Sequence, residues 1–341
     1  MNFTRYILKK TSLIRTLIAL SLMVSICYGQ TFMEYYDQGE EHAVQGKFKE
    51  AKEEFEKVLK ANPVYTPAKL SLQIIEDAIG QKITKETAIH IFQGRDYAKK
   101  QMWDEAVAEF NKAITKDPNY ANLYLNRGGV YAHRNQFDQA ISDFNKAIEI
   151  DPEYAEVYYN RGIIYNSEGL YKESISDYTK AIEIDPGYAA AYNNRGAVYD
   201  SRGLYEQAIA DYAKAIEINP GYAEAYNNRG FAYDSKGLYE QAISDYTKAI
   251  EINPGYAQAY YNRGAIYNSK DQYDLAISDF NKVIEIEPRY VEAYFNKAVI
   301  CERAGRIEEA IEAYKWFIQN APPEYASSIE RAKGRLTELE K

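Results

Sequence analysis

Apolar residues recur along most of this chain at the spacing of an amphipathic α-helix, and the whole pattern repeats every 34 residues. In residues 223–256, Tyr226, Gly230 and Tyr233 fall at i, i+4 and i+7, so they share one face of a helix. Gly230 leaves room for a neighbouring backbone, while the two tyrosines fill the volume beside it. The first half of each repeat therefore predicts one helix with a packed face.

The second half of the repeat predicts another helix, separated from the first by a turn. Ala242, Tyr246 and Ala249 have the same i, i+4, i+7 spacing, and Pro254 prevents the helix from continuing. Gly237 stands between the two halves, where glycine can adopt the left-handed conformation that ends a helix. Its equivalents in other copies are Gly46, Asn135, Gly169, Gly203 and Gly305. Each copy is thus expected to form a helix-turn-helix.

These residues in this register resemble the tetratricopeptide repeat, a family of helix-turn-helix units. The resemblance is carried by Tyr226, Gly230, Tyr233, Ala242, Tyr246, Ala249 and Pro254, with Tyr226 where the family often has Trp. Arg229 departs from the pattern, because the family commonly has Leu there. The resemblance covers nearly all of the chain after the first 31 residues. It implies an all-α, right-handed superhelical solenoid of about eight repeats with a C-terminal capping helix.

The repeat register divides the chain into segments with different expected roles. They are a signal peptide at 1–29, a divergent first repeat at 32–65, an extra helix or linker at 66–86, contiguous repeats at 87–324 and a capping helix at 325–341. Within the linker, Ala68–Ile79 is expected to form one helix ended by Gly80. This helix either bends the solenoid or marks a hinge. The apolar stripe of the capping helix consists of Ile329, Ala332, Leu336 and Leu339.

Residues 1–29 have the features of a secretory signal: a basic opening, the short apolar run Leu17–Ile26 and small residues before Gln30. We expect cleavage there, and hence an exported protein, periplasmic or secreted, with no stable membrane span. The alternatives are an uncleaved anchor and a lipid anchor at Cys27, the latter disfavoured because Ile precedes that cysteine. Removal of the signal leaves Cys301 as the one cysteine, at a place that predicts a buried side chain and no internal disulfide.

Charge and composition narrow the possible functions. The chain has 50 acidic and 41 basic residues and a formal net charge of −9, which disfavours nucleic acid as a partner. His42, His90 and His133 fall at different places in their repeats, and no cysteine accompanies them. We therefore expect no metal site, no cofactor and no histidine-based catalysis, and the sequence predicts that the protein is not an enzyme.

The face of each first helix opposite the tyrosines carries the candidate binding residues. Its most regular feature is a row of asparagines: Asn126, Asn160, Asn194, Asn228, Asn262 and Asn296. An amide both donates and accepts hydrogen bonds, so it can pair with a peptide group in either direction. Similar rows bind extended peptide backbone in the tetratricopeptide superhelix of O-GlcNAc transferase, so the resemblance implies a peptide-binding row here. The alternative is that these amides satisfy a nearby helix or link adjacent repeats.

Other side chains on this face vary between repeats and could encode a preference. The candidates are Tyr159 and Tyr261, the amides Asn193 and Asn227, and the acids Asp200 and Asp234. Chaperone-tail adaptors of the family hold a C-terminal carboxylate with Lys and Asn on these faces. The corresponding places in this chain lack the Lys, which disfavours a carboxylate clamp. For the aromatic residues, packing between repeats is the alternative.

Each repeat with Arg at the place of Arg229 has an Asp sixteen residues later. The expected structural ion pairs are Arg127 with Asp143, Arg161 with Asp177, Arg195 with Asp211, Arg229 with Asp245, and Arg263 with Asp279. The repeat with Lys297 has Ala313 instead, which favours a pair that joins two helices over an anion-binding row.

The sequence as a whole predicts a protein-interaction scaffold that binds an extended peptide or a partner helix in its concave groove. One alternative is a structural subunit docked permanently into a cell-envelope assembly or a secretion complex. An envelope hydrolase is the alternative from another class, and it lacks the clustered acid and base groups that it needs.

Overall fold

A computed structural model describes residues 32–63 and 65–341. The predicted signal peptide at 1–29, with Cys27, lies outside the described residues. Among the residues described, no helix has both the length and the apolar character needed to cross a membrane.

The described part of the chain is all-α, which confirms the predicted fold class. The helices are α1 (32–44), α2 (Phe48–Ala61), α3 (Thr66–Ile79), α4 (Lys85–Lys99), α5 (Trp103–Lys116), α6 (Ala121–His133), α7 (Phe137–Ile150), α8 (Ala155–Ser167), α9 (Tyr171–Ile184), α10 (Ala189–Ser201), α11 (Tyr205–Ile218), α12 (Ala223–Ser235), α13 (Tyr239–Ile252), α14 (Ala257–Ser269), α15 (Tyr273–Ile286), α16 (Val291–Arg303), α17 (Ile307–Asn320) and α18 (Ala326–Leu339). A short 3-10 helix, Pro323–Tyr325, precedes α18. The described helices form two compact units, the first ending at Ile164 and the second beginning at Tyr165, so the division falls within α8.

The first unit has a core of aromatic and small side chains contributed by successive helix pairs. Phe55 of α2 stacks on Phe92 of α4 with ring centroids 6.2 Å apart, and both rings are buried. Phe144 and Ala147 of α7 belong to the same cluster. Aromatic rings from first and second helices of different repeats thus share one core cluster within this unit.

Helix α3 occupies the segment predicted to hold a single extra helix, and it packs against α2 and α4. It begins at Thr66 and not at Ala68, because Pro67 fits the first turn, where no intrahelical N–H donor is needed. The helix ends at Ile79 and is followed by Gly80, as expected, but the left-handed residue of the turn is Gln81, with φ of +61°. The turn there therefore does not depend on glycine.

In the second unit, the last helix pair and α18 enclose a core around Phe317, which is fully buried. Ala332 of the predicted capping stripe is also fully buried, and Ile329 and Leu339 pack against the same cluster. Cys301 lies in this core with no exposed surface, and burial raises the pKa of its thiol to about 11. The thiol is therefore protonated at neutral pH and behaves as a small apolar side chain.

Glycine has a different physical role at each of two places of the repeat. A Cβ added to Gly230 would lie 2.9 Å from Cε1 of Tyr246, so the helices approach closely only without a side chain there. Gly237 has φ of +73°, the left-handed conformation predicted for the turn. The same conformation is adopted at Gly46, Asn135, Gly169, Gly203 and Gly305.

Candidate functional site

The asparagine row was predicted to bind a peptide, and two of its members are bonded to the preceding repeat instead. Nδ2 of Asn228 donates to Oδ1 of Asn193 at 3.1 Å, and Nδ2 of Asn262 donates to Oδ1 of Asn227 at 3.2 Å. The acceptors Asn193 and Asn227 are only 1% and 6% exposed. They do not line an open surface as expected, because each amide is enclosed between neighbouring first helices. At these places the alternative interpretation, a link between adjacent repeats, accounts for the amides.

Asn296 and Tyr261 continue this pattern towards the end of the second unit. Nδ2 of Asn296 donates to the hydroxyl of Tyr261 at 2.8 Å. The Tyr261 ring stacks on Tyr290 at 5.2 Å and meets Phe280 edge-on at 5.4 Å. Tyr261 therefore packs between repeats, while Tyr159, at the same place of an earlier repeat, is half-buried.

In the first unit the row behaves differently, because Arg95 of α4 joins it. Nε of Arg95 donates to Oδ1 of Asn126 at 2.8 Å, and Nη1 of Arg95 lies 3.3 Å from Oγ of Ser71. The amide nitrogen of Asn126 donates to its own helix, at the carbonyl oxygen of Asn122, 2.6 Å away. Both ends of the Asn126 amide are thus used inside the chain. Asn194, in the second unit, accepts from Nδ2 of Asn193 at 3.3 Å.

A cavity of about 920 Å³ opens on the first-helix side of the first unit. Its wall is both apolar and polar, with Leu70, Trp103, Leu125 and Val130 beside Arg95 and Asn160. We call this space the first-unit groove. The side chain of Asn160 has no hydrogen bond to another described residue, so this member of the row presents a free amide to the groove.

Charges inside the first-unit groove are balanced by opposite charges. Nζ of Lys99 is paired with the carboxylate of Glu40, which also accepts from the Tyr36 hydroxyl at 3.0 Å. Burial raises the pKa of Glu156, and the positive charge of Arg95 opposes that shift. These cations were not predicted, since no other repeat has a basic residue at the place of Arg95 and only the last repeat, with Arg303, has an Arg or Lys at the place of Lys99. The groove therefore has no excess charge with which to bind an isolated carboxylate.

Gly129 of α6 lines the first-unit groove without a packing role. A Cβ added there would meet nothing within 4 Å. This differs from Gly128, where an added Cβ would lie 2.7 Å from Cε1 of Phe144. Gly129 therefore enlarges the groove, and a large side chain introduced there would project into it and occupy part of it.

The Arg and Asp residues predicted to pair are brought together in four repeats. Nε and Nη2 of Arg229 lie 2.7 and 2.8 Å from the two carboxylate oxygens of Asp245, and the side chains are 19% and 8% exposed. The same two-pronged contact joins Arg127 to Asp143, Arg195 to Asp211 and Arg263 to Asp279. Arg161 and Asp177 fall on either side of the division between the units, and their pairing stays a prediction. These arginines serve helix packing and leave no free guanidinium for an anion.

A third residue completes several of these pairs, and sequence reasoning did not identify it. Nη1 of Arg195 donates to Oγ1 of Thr179 at 2.9 Å, and Nη1 of Arg263 donates to Oγ1 of Thr247 at 2.9 Å. Each acceptor lies sixteen residues before its arginine, on the second helix of the preceding repeat. The equivalent residue for Arg229 is Ala213, which has no acceptor. Recurrence of Thr or Asn at this place was the signal available in the sequence.

Asp200 of α10 and Asp234 of α12 are half-buried in the second unit. Neither carboxylate has an ion pair or a hydrogen bond to a side chain among the described residues, and burial raises the pKa of both. They are thus the least satisfied acids of the predicted set. Within the described residues, no group of three His, Cys, Asp or Glu side chains is arranged to hold a metal ion.

Helix pairs stacked in register, with recurring aromatic, glycine and alanine packing, define a helical repeat protein. Tetratricopeptide repeat models match residues 35–65, 155–188, 189–222, 223–256, 257–290 and 280–312, and a TPR repeat model matches 94–133 and 128–169. The chain belongs to the tetratricopeptide repeat family. A comparison with curated proteins finds no match.

Solved structures of the same fold resemble the chain at low sequence identity. Pseudomonas aeruginosa PilF is 18% identical over 63% of this chain and 97% of its own, with a TM-score of 0.56. A tetratricopeptide repeat protein from Parabacteroides merdae is 19% identical over 75% of this chain and all of its own, with a TM-score of 0.54. The MamA protein is 32% identical over 51% of this chain and 95% of its own, with a TM-score of 0.45. The first two likenesses show the fold.

Proposed function

We propose that this protein is an interaction scaffold and that the first-unit groove binds a segment of a partner protein, extended or helical. The observation that carries the proposal is the cavity of about 920 Å³ on the first-helix side, with its mixed apolar and polar wall. Pockets of this size and composition are typical binding sites.

The wall of the groove favours a segment that inserts apolar side chains. Leu125 and Val130 supply apolar surface to this wall, and Trp103 supplies an aromatic ring. Because Lys99 is paired with Glu40, and Arg95 lies close enough to Glu156 to oppose its pKa shift, a charged peptide gains little from the groove.

Asn160 adds the polar part of the recognition. Its amide is not engaged by other described residues, so it can donate to and accept from a peptide group of the bound segment. Apolar anchors would then provide affinity, and the amide would fix the register of the segment along the groove.

The experiment uses a random library of peptides of about 16 residues displayed on phage, selected against the full chain. The expected result is a pool rich in apolar side chains that binds the wild-type chain in solution. Gly129→Trp should weaken this binding about tenfold or more, because the indole occupies part of the groove.

Gly334→Trp is the matched control, since Gly334 is another helical glycine whose added Cβ meets nothing within 4 Å. It should leave the selected peptides bound as tightly as before. Equal binding to the Gly129→Trp and Gly334→Trp variants would place the peptide elsewhere and overturn the proposal, as would failure to select any peptide.

A further inference from the structure

Asp200, Asp234 and Glu302 occupy the same place of three first helices in the second unit: α10, α12 and α16. Each is the twelfth residue of its repeat, on the first-helix face. The same place holds Asn166 and Asn268 in the flanking repeats. Because the three acids are equivalent, the surroundings of Glu302 can be compared directly with those of Asp200 and Asp234.

At Glu302 the chain itself supplies a cationic partner. Nε of Arg335, from α18, lies 3.3 Å from Oε2 of Glu302, and Nη2 of Arg335 contacts Oε1. The hydroxyl of Tyr314 donates to Oε2 of the same carboxylate at 3.1 Å. Arg335 lowers the pKa of Glu302, so the pair holds the carboxylate in its charged form. A second arginine of α18, Arg331, lies over the Phe295 ring, 5.6 Å from its centroid.

Asp200 and Asp234 have no such partner among the residues of the second unit. Oδ1 of Asp200 is buried and has no hydrogen bond. Burial raises the pKa of Asp200 and of Asp234, whereas the pKa of Glu302 is lowered. An acceptor that is buried and unpaired costs free energy unless a donor reaches it.

Tyr246 provides a second, independent unpaired group beside these acids. It is fully buried, and its hydroxyl has no partner, whereas its equivalent Tyr314 donates to Glu302. Burial raises the pKa of Tyr246, and the negative charges of Asp234 and Asp200 raise it further. The phenol and the carboxylate that are hydrogen-bonded in the last repeat, Tyr314 and Glu302, correspond to Tyr246 and Asp234, which have no partner in the repeat 223–256.

Phe231 projects from the same face, three residues before Asp234 on α12. Its side chain is 48% exposed, although a phenyl ring is normally buried. The equivalent residues in the neighbouring repeats are Ala197 and Ala265, which leave space on either side of the ring. An exposed aromatic ring next to unpaired carboxylates offers one surface for an aliphatic stem and another for a cationic head.

We propose that Asp200, Asp234 and Phe231 form a subsite for an arginine or lysine side chain of a bound protein segment. The guanidinium or ammonium group donates to the two carboxylates, as Arg335 does to Glu302, and its stem packs on Phe231. Arginine is favoured over lysine, because its several N–H donors can satisfy two carboxylates while its plane stacks on the ring. The subsite extends the proposed function to a basic segment on the second unit, and it rests on the first helices being a protein-binding face.

The test uses the full chain carrying Gly129→Trp, so that the first-unit groove is partly occupied and cannot dominate the selection. Random peptides of about 16 residues are selected on it at low salt, where charge pairing is strongest. The expected pool carries a recurring Arg or Lys. Binding of a chosen peptide should fall about tenfold or more in the Asp200→Asn/Asp234→Asn variant and when its Arg is replaced by citrulline.

A double-mutant cycle separates direct contact from a general charge effect. The losses from Asp200→Asn/Asp234→Asn and from citrulline should not add, since each removes the same interaction. The variant Glu308→Gln/Glu312→Gln removes the same charge from exposed places on α17 and should leave binding unchanged. Additive losses, or equal losses from the α17 variant, would overturn the subsite, as would a pool without Arg or Lys.

The two proposals fail in different ways. If peptides selected on the wild-type chain are lost with Gly129→Trp but bind the Asp200→Asn/Asp234→Asn variant unchanged, and no basic pool emerges, the groove stands and the subsite is wrong. If a basic pool depends on Asp200 and Asp234 while Gly129→Trp has no effect on any peptide, the subsite stands and the groove proposal is wrong.

Discussion

Arg229 and Asp245 form a two-pronged ion pair between the two helices of one repeat, with N–O distances of 2.7 and 2.8 Å. The guanidinium also lies 5.7 Å from the Tyr226 ring centroid and 5.8 Å from that of Tyr233. The pair thus stands where the family commonly has a leucine, and it replaces apolar packing by a mostly buried charge pair. How much the pair contributes to the stability of the fold depends on how completely hydrogen bonds and opposite charge compensate each buried charge.

Arg229→Ala should lower the free energy of unfolding by about 3–5 kcal/mol, because it leaves the Asp245 carboxylate buried without its partner. Lys236→Ala is the comparison, since Lys236 pairs with Glu206 on the surface, where the side chains are 29% and 74% exposed. That exposed pair should contribute only about 0–1 kcal/mol. Urea denaturation of both variants measures the difference. A loss near that of Lys236→Ala would show that the Arg229 pair is not effectively buried.

Ala213→Thr should stabilise the repeat containing Arg229. Thr179 and Thr247 accept from Nη1 of Arg195 and Arg263, and a hydroxyl at residue 213 would give Arg229 the same acceptor. The expected gain is about 0.5–1.5 kcal/mol, the usual net value of one hydrogen bond. Ala213→Val is the control, since it adds a β-branched side chain of similar shape without the hydroxyl. Equal stability of the Thr and Val variants would show that a hydrogen bond to Arg229 does not cause the gain.

Gly129→Ala and Gly230→Ala should change stability in opposite directions, although both glycines lie inside first helices. Alanine at residue 129 meets open space, so it should add about 0.5–1 kcal/mol through helix propensity. At residue 230 the new Cβ would lie 2.9 Å from Cε1 of the fully buried Tyr246, and the clash should outweigh that gain. Thermal unfolding followed by circular dichroism compares the two. A gain in both variants would contradict the packing role of Gly230.

Asp200→Asn should stabilise the protein near pH 7. Burial raises the pKa of Asp200 above its unfolded value of about 3.9, so the folded state binds a proton more tightly than the unfolded state. Stability from this group is therefore highest below the unfolded pKa and falls as pH rises through the folded pKa. Asparagine removes that penalty.

The advantage of Asp200→Asn over the wild-type chain should shrink as the pH is lowered to about 3, where the aspartate is protonated in both states. Urea unfolding midpoints of the variant and the wild-type chain, near pH 7 and at about pH 3, measure this difference in stability. A variant that is less stable than the wild-type chain near pH 7 would mean that a partner already stabilises the carboxylate. The prediction also agrees with a binding role, since functional groups are often held at a cost in stability.

The fold and the residues inside one repeat were accessible from the sequence, because both depend on short, recurring spacings. The sixteen-residue separation of Arg229 and Asp245 identified two helices of one repeat, and the structure has their side chains in contact. The left-handed turn at Gly237 followed from glycine at a fixed place. Such features need only local periodicity and the chemistry of one residue.

Contacts between repeats were harder to predict, because the same residue type fits two roles. Asn228 on a first helix could donate to a peptide or to its neighbour, and only the position of Asn193 shows that the donor is already used. The first-unit groove depends on Arg95 and on Leu70 of α3, which lies in the segment that breaks the period. The volume of the groove depends on side chains that several helices bring together, and the spacing of residues in the sequence does not predict such a volume.

The central claim is that a protein segment binds in the first-unit groove, and hydrogen–deuterium exchange with a selected peptide tests it most directly. The account predicts slower exchange of backbone amides in α4 and α6 when the peptide is bound, because these helices carry Arg95, Leu125 and Gly129. Gly129→Trp should abolish that protection. Protection confined to the second helices α5 and α7, or unchanged exchange in α4 and α6, would contradict it.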